Sequence, residues 1–245
     1  MQRLRIITYL SPSIPAELYE LIARDLGEQC GVIAELAFEP RISGPLAGDD
    51  DLFSRGAVDV GFLCAPSFRW LNASRRNVEL LPLPVPTDAR AAGRPVYFAD
   101  VVVRADSPAR SFADLTGMRW TFNDRNSKSG SFSMIERIAP RAPEEFFAEV
   151  VAAGSHLRSI ELVASGAADA AAIDSNVLRA RPRPDLRVIE SWGPFPIQPA
   201  IIRADVADER KANIAAALLT MHERHGEALA RHGVSRFVAG DERAY

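Results

Sequence analysis

Apolar and polar residues alternate in short runs along this chain, and the period of the alternation changes in a regular order. Residues 3–9 alternate charged and apolar side chains and predict a first strand. A turn of serine and proline follows. Residues 16–29 then place Leu18, Leu21, Ile22 and Leu26 at the spacing of one helix face, with Pro15 near the first turn. Residues 32–38 predict a second strand, 40–48 a loop, and 51–55 a short helix stopped at Gly56. The run 58–63 reads as a buried strand, and 78–85 as another, ended by Pro84 and Pro86. This β-α-β-α-β order predicts a mainly parallel sheet with helices on its faces.

A connection rich in Ala, Gly, Arg and Pro occupies residues 87–95, and a second α/β set follows it. Strands are predicted at 96–104 and 118–122, with a short helix at 111–115 between them. A polar loop at 123–130 leads into a helix at 132–138. Pro143 opens one helix running to 153, with Phe146, Phe147, Val150 and Val151 apolar. A helix at 156–165, strands at 168–173 and 186–190, and a proline-dense crossing at 193–199 come next. The chain ends with a strand at 200–203 and a long helix at 208–224, which carries Ile214, Leu218 and Met221 on one face. There is no internal repeat. Two α/β units joined by two crossings imply that the chain returns to its first unit. That is a two-lobed α/β layout with a ligand cleft. The lobes divide as 1–95 plus 197–245 and 96–196, the second carrying the candidate loop.

Composition narrows the classes. The chain is 47% hydrophobic and 25% charged, which suits a soluble globular protein. Lys plus Arg number 29 against 32 Asp plus Glu, a net charge of -3. That balance argues against nucleic acid as a partner, yet leaves room for one small anionic ligand. No apolar stretch is long enough for a membrane span. The two cysteines, Cys30 and Cys64, lie outside any C-x-x-C and read as buried thiols rather than a disulfide framework. The first residues go straight into strand-like alternation, with no visible secretory signal. The expected location is periplasmic if an export signal has been trimmed, and otherwise cytoplasmic.

The chemistry concentrates in residues 122–131. This segment follows a strand and opens a helix, whose first N–H groups are unpaired and partially positive. Ser127, Ser129 and Ser131 add hydroxyls, Lys128 adds a full charge, and Gly130 lets the backbone come close. The arrangement suits an anion; the plainer reading is a serine cap on a solvated loop. It is not a P-loop. His156, at a predicted helix start, reads either as a surface residue or as a donor to an anion. Asp174, with Ser175 and Asn176 after it, reads either as ligand-facing or as a cap. Tyr9 and Ser11 close the first strand, and Tyr97 sits at the first crossing; each suits a ligand contact or plain packing. His222, His225 and His232 lack the companions a metal site needs, and an exposed helix is the better reading. No G-x-S-x-G, H-E-x-x-H or Cys–His pairing occurs.

Several phrases, taken in order, resemble a known family. They are Val101-Val102-Val103-Arg104-Ala105-Asp106-Ser107-Pro108, Ser111 to Gly117, Asn126-Ser127-Lys128-Ser129-Gly130, and Phe146-Phe147 with Gly154-Ser155-His156. Val163 to Asp174 and Arg187 to Ser191 complete the set. The chain resembles the phosphonate/phosphate ABC-transporter solute-binding proteins, the PhnD-like group of type 2 periplasmic binding proteins. The likeness is close over residues 96–203 and only a pattern at the two ends. It implies a Venus-flytrap fold of two lobes, each a mostly parallel sheet flanked by helices, with two crossover strands as hinge. It also implies binding without catalysis, no cofactor or metal, and an ABC permease as partner. By position, Ser127, Lys128, Ser129, Gly130 and His156 would hold the anion, with Tyr97 and Asp174 facing it. The family usually reads Ser-Thr-Ser-Gly where this chain has Ser127-Lys128-Ser129-Gly130. An inward Lys128 would favour a more highly charged ligand, whereas an outward one loses a hydroxyl contact. Many aminophosphonate binders carry an acid where Trp192 stands, which argues against a ligand ammonium held by a carboxylate there. The alternatives on the same fold are a cytoplasmic enzyme of the menaquinone- or thiamine-precursor type, with His156 or Asp174 as acid or base, and a cytoplasmic ligand sensor.

Overall fold

A computed structural model describes residues 2–75 and 77–245. The chain divides into two compact units: the described residues up to Val96 together with Pro196–Tyr245, and Tyr97–Phe195. It passes from one to the other at 96/97 and returns at 195/196.

The first unit begins with β1 (Arg3–Thr8), α1 (Ala16–Cys30), β2 (Ile33–Phe38), β3 (Val60–Phe62), α2 (Ala65–Trp70), β4 (Val78–Leu80) and β5 (Leu83–Pro86). The second unit holds, save for the boundary residues Val96 and Pro196, β6 (Val96–Arg104), β7 (Arg119–Phe122), α3 (Ser133–Ile138), α4 (Pro143–Phe146), β8 (Glu149–Ala152), α5 (His156–Ala164), β9 (Ala170–Asp174), α6 (Ser175–Ala180) and β10 (Leu186–Pro196). The returning chain adds β11 (Ala200–Arg203), α7 (Asp208–Arg231) and β12 (Val234–Val238) to the first unit.

The first sheet runs β2-β1-β3-β11-β4, and β5 pairs with β12 separately. β1 is parallel to β2 and β3, whereas the returning β11 is antiparallel to β3 and β4. Leu18, Ile22 and Leu26 of α1 meet Ile214, Leu218 and Met221 of α7 in one buried cluster with Leu4 and Ile6 of β1. A second cluster gathers Ile7, Phe53, Phe68 and Leu71. Between α1 and α7 lies an ion pair whose carboxylate is buried. The Asp25 carboxylate accepts from Arg224 Nε and Nη2 at 2.8 and 2.7 Å. His225 Nε2 stands 3.1 Å from the same carboxylate, at the residue where α7 is kinked.

The second sheet runs β10-β6-β9-β7-β8. Its core is aromatic: Phe112 stacks on Phe146 at 5.2 Å, Trp120 on Phe147 at 5.0 Å, and Trp192 lies 6.4 Å from Trp120. Offset and edge-on ring pairs of this kind hold beyond the area they bury.

Several local expectations are corrected. Residues 51–55 form a turn, not a helix, because the Asp51 carboxylate takes the N–H groups of Phe53 and Ser54 at 3.0 and 3.1 Å. The helix expected over 143–153 stops at Phe146, and Glu149–Ala152 form β8 paired with β7. Val150 and Val151 are β-branched, and a ladder partner decides their state. The strand expected over 78–85 is two strands in different sheets. The proline-dense crossing is strand as far as Pro196. α2 and β12 have no counterpart among the expectations, α6 is the short helix of the capping reading of Asp174, and α7 runs on to Arg231. Cys30 and Cys64 are not joined; Cys64 is buried, but Cys30 is only partly so, with its thiol pushed up by that burial. No helix among the described residues is long and apolar enough to cross a membrane.

The Asp25 side chain is 0% exposed, and Arg224 supplies the permanent charge beside it, with the His225 ring as a second partner. Arg224→Met therefore strands a buried carboxylate and is expected to cost about 3 kcal/mol of unfolding free energy. Urea denaturation checks this; a loss below about 1 kcal/mol contradicts it.

Candidate functional site

Four ends of the second sheet share one edge. β7 and β8 run parallel with Phe122 opposite Ala152, so the chain leaves both strands side by side. β9 is parallel to β7, and β6 is antiparallel to β9 with Ala99 opposite Asp174. The carboxyl ends of β7, β8 and β9 therefore meet the start of β6, the edge at which α/β sheets gather their ligand loops. Two further bonds tie the outgoing loops together. Ala153 N–H donates to the Phe122 carbonyl and Gly154 N–H to that of Asn123, both at 2.7 Å.

Beyond Phe122 the chain makes a polar turn closed by its own side chains. Asn123 Nδ2 donates to Asp124 Oδ2 at 2.8 Å, and Asn126 N–H donates to Asp124 Oδ1 at 2.9 Å. Ser127 caps the π-helical turn Lys128–Phe132, its Oγ accepting from Gly130 N–H at 3.2 Å. Serine suits this place because its oxygen reaches an N–H that the helix leaves unpaired. Asn126, Ser127, Ser129 and Ser131 are buried. A Cβ on Gly130 would lie 2.0 Å from Asn123 Oδ1 and 3.3 Å from Asn123 N, so only glycine lets the turn close on that asparagine.

His156 begins α5 behind the N-cap Ser155, whose Oγ accepts from Arg158 N–H at 3.1 Å. Its Nε2 lies 3.1 Å from Ser129 Oγ, which is 3.5 Å from Ser127 Oγ. The surface reading of His156 is thus wrong: the imidazole is 4% exposed. Burial drives its pKa from 6.5 down to about 3, so the ring is neutral near pH 7. A neutral ring has one N–H and one lone pair, and beside a hydroxyl it serves as donor or acceptor according to tautomer.

The other expected residues distribute as follows. Asp174 closes β9 and caps α6, accepting from Asn176 N–H at 2.8 Å. Tyr97 is buried with its ring 6.0 Å from that of Phe195, and the adjacent Phe98 N–H donates to Ser175 Oγ at 3.1 Å. Lys128 sends its ammonium to Glu136 at 2.6 and 2.7 Å and over the Phe195 ring at 4.8 Å. Tyr9 and Ser11 are buried in the first unit just past the end of β1, where Tyr9 N–H donates to the Phe62 carbonyl at 2.9 Å and burial pushes the phenol up. Trp192 belongs to the core of the second unit. Its indole lies in the aromatic core and donates to Glu190 at 2.8 Å, so it says nothing about a ligand ammonium.

Asn123 escaped the sequence reading as a site-building residue. Its signal is one of position, the polar residue next to the carboxyl end of β7. Among the described residues, no group of three or more His, Cys, Asp or Glu is placed to hold a metal ion.

The depressed His156 carries a pH signature. Below 6.5 the unfolded chain binds a proton that the folded chain refuses down to about 3, so stability falls with pH through that window. His156→Gln is expected to flatten the acid limb of the stability curve, read by urea denaturation at successive pH values. An acid limb identical to that of the parent protein contradicts the assignment.

A family model described as "ABC transporter, phosphonate, periplasmic substrate-binding protein" matches residues 4–245. Among curated proteins no sequence matches. Solved structures do. A binding protein component of an ABC phosphonate transporter from Pseudomonas aeruginosa is 19% identical with a TM-score of 0.81, over 99% of this chain and 83% of that one. PhnD1 from Prochlorococcus marinus, in complex with methylphosphonate, is 16% identical with a TM-score of 0.80, over 100% and 94%. A Xanthomonas citri protein bound to ATP is 18% identical with a TM-score of 0.71, over 100% and 93%. The fold is that of the type 2 periplasmic binding proteins, α/β in both units. Matched by the family model from residue 4 to residue 245, the chain belongs to the phosphonate ABC-transporter family of periplasmic substrate-binding proteins.

Proposed function

We propose that this chain is a periplasmic binding protein without catalytic function, whose second unit holds a small oxyanion, a phosphonate or phosphate, for delivery to an ABC permease. One observation carries the reading: Ser129 and His156, 27 residues apart, meet at 3.1 Å on a capped turn at the ligand edge of the sheet. Ser127, Ser129, the turn's amides and the imidazole are the donors offered to the anion's oxygens. Donation to an ionised oxygen contributes about 1.5–3 kcal/mol per bond, so a few such contacts suffice for micromolar affinity. The Prochlorococcus relative, in complex with methylphosphonate, supports the ligand class.

Two features weigh against an enzyme. A histidine held at about 3 is a poor general base near neutrality. The other candidate, Asp174, spends a carboxylate oxygen on the cap of α6.

Ser129→Ala and His156→Asn are each expected to weaken methylphosphonate and phosphate binding by about tenfold or more, with the circular dichroism spectrum unchanged. Titration calorimetry measures this, and unchanged affinity in both variants removes the site. Turnover of either anion by the parent protein would instead restore the enzyme reading.

A further inference from the structure

The turn that would receive the anion contains a lysine, yet its charge is already engaged. Lys128 stands between Ser127 and Ser129, the two serines whose hydroxyls face each other. Its ammonium meets both oxygens of Glu136 on α3 and lies over the face of Phe195, the last residue of the second unit. The Lys128 side chain is 18% exposed and that of Glu136 60%, so the pair sits at the margin of the loop, not in the core. Within the same stretch Asp124 and Arg125 also carry opposite charges, and His156 is neutral. At Ser127 and Ser129 the groups offered are hydroxyl and amide dipoles, and the cation between them in sequence, Lys128, is already compensated by Glu136.

We infer that the Lys128–Glu136 pair sets the ligand charge this loop accepts: closed, it leaves the site without net charge and favours a singly charged oxyanion; opened, it lends the site a full cation and favours a doubly charged one. This rests on the reading of the loop as the anion site. The physical basis is that a fixed cation attracts in proportion to ligand charge, whereas hydroxyls and amides reward a second charge less than water does. A partly exposed pair is also weakly held, so removing one member frees the other at little cost to the fold. Phe195 keeps a freed ammonium near the loop, because the ring face attracts it without cancelling its charge. Glu136 is thus a specificity-determining residue that need not touch the ligand.

Glu136→Gln supplies the test, with two probes of similar shape: methylphosphonate, mostly doubly charged at mildly alkaline pH, and methanesulfonate, singly charged throughout. Calorimetry in low salt is expected to show methylphosphonate binding tightened about tenfold and methanesulfonate about threefold at most. The gain should shrink in high salt and vanish when Lys128→Met is added to Glu136→Gln. Methylphosphonate affinity that is unchanged or weaker in Glu136→Gln overturns the inference, and so does a gain that survives in the double variant. If the parent protein binds none of methylphosphonate, phosphate and methanesulfonate, the functional reading fails and this one falls with it. If the parent binds and Glu136→Gln matches it on both probes, only the charge assignment fails.

Discussion

β7 and β8 lie side by side with Phe122 opposite Ala152, and two amide bonds carry the pairing past the ends of both strands. Nearly everything at the site follows from that register. A parallel pair delivers its two outgoing loops to one edge, so the turn after β7 and the cap of α5 become neighbours although 27 residues separate Ser129 from His156. A slip of one residue would turn Trp120 out of the aromatic core and take the polar turn away from the imidazole. The stacked rings of Phe112, Trp120, Phe146 and Phe147 therefore hold the register as well as the fold.

The two ion pairs described above work in opposite ways. Asp25 and Arg224 tie α1 to α7 with the carboxylate fully buried, so that charge is not easily left without a partner. Glu136 sits where water can take over its carboxylate, so the pair with Lys128 contributes little to stability and much to the local field. Burial of the carboxylate, complete at Asp25 and slight at Glu136, separates the two roles.

How much could be read beforehand differs from element to element. The polar turn was legible because a strand, a run of small polar residues and a helix followed one another, and because serine caps helices through its own oxygen. The burial of His156 against Ser129 was not legible from its own segment, and only the family likeness grouped the two; the strand register brings them together. The segment 143–153 misled for the same reason. Phe146, Phe147, Val150 and Val151 satisfy a helical spacing, and the choice of strand came from a partner distant in sequence. At Asp174 the two readings were capping and ligand-facing; the capping one is visible in the bond to Asn176. The return of the chain to its first unit was legible from two α/β sets joined by two crossings, and the division falls at 96/97 and 195/196.

The buried histidine has one more consequence. A ring kept uncharged by its surroundings contributes the same dipole beside the Ser129 hydroxyl in a slightly sour medium as in a slightly alkaline one. Any response of this corner of the molecule to acidity over that span must then come from groups other than the histidine.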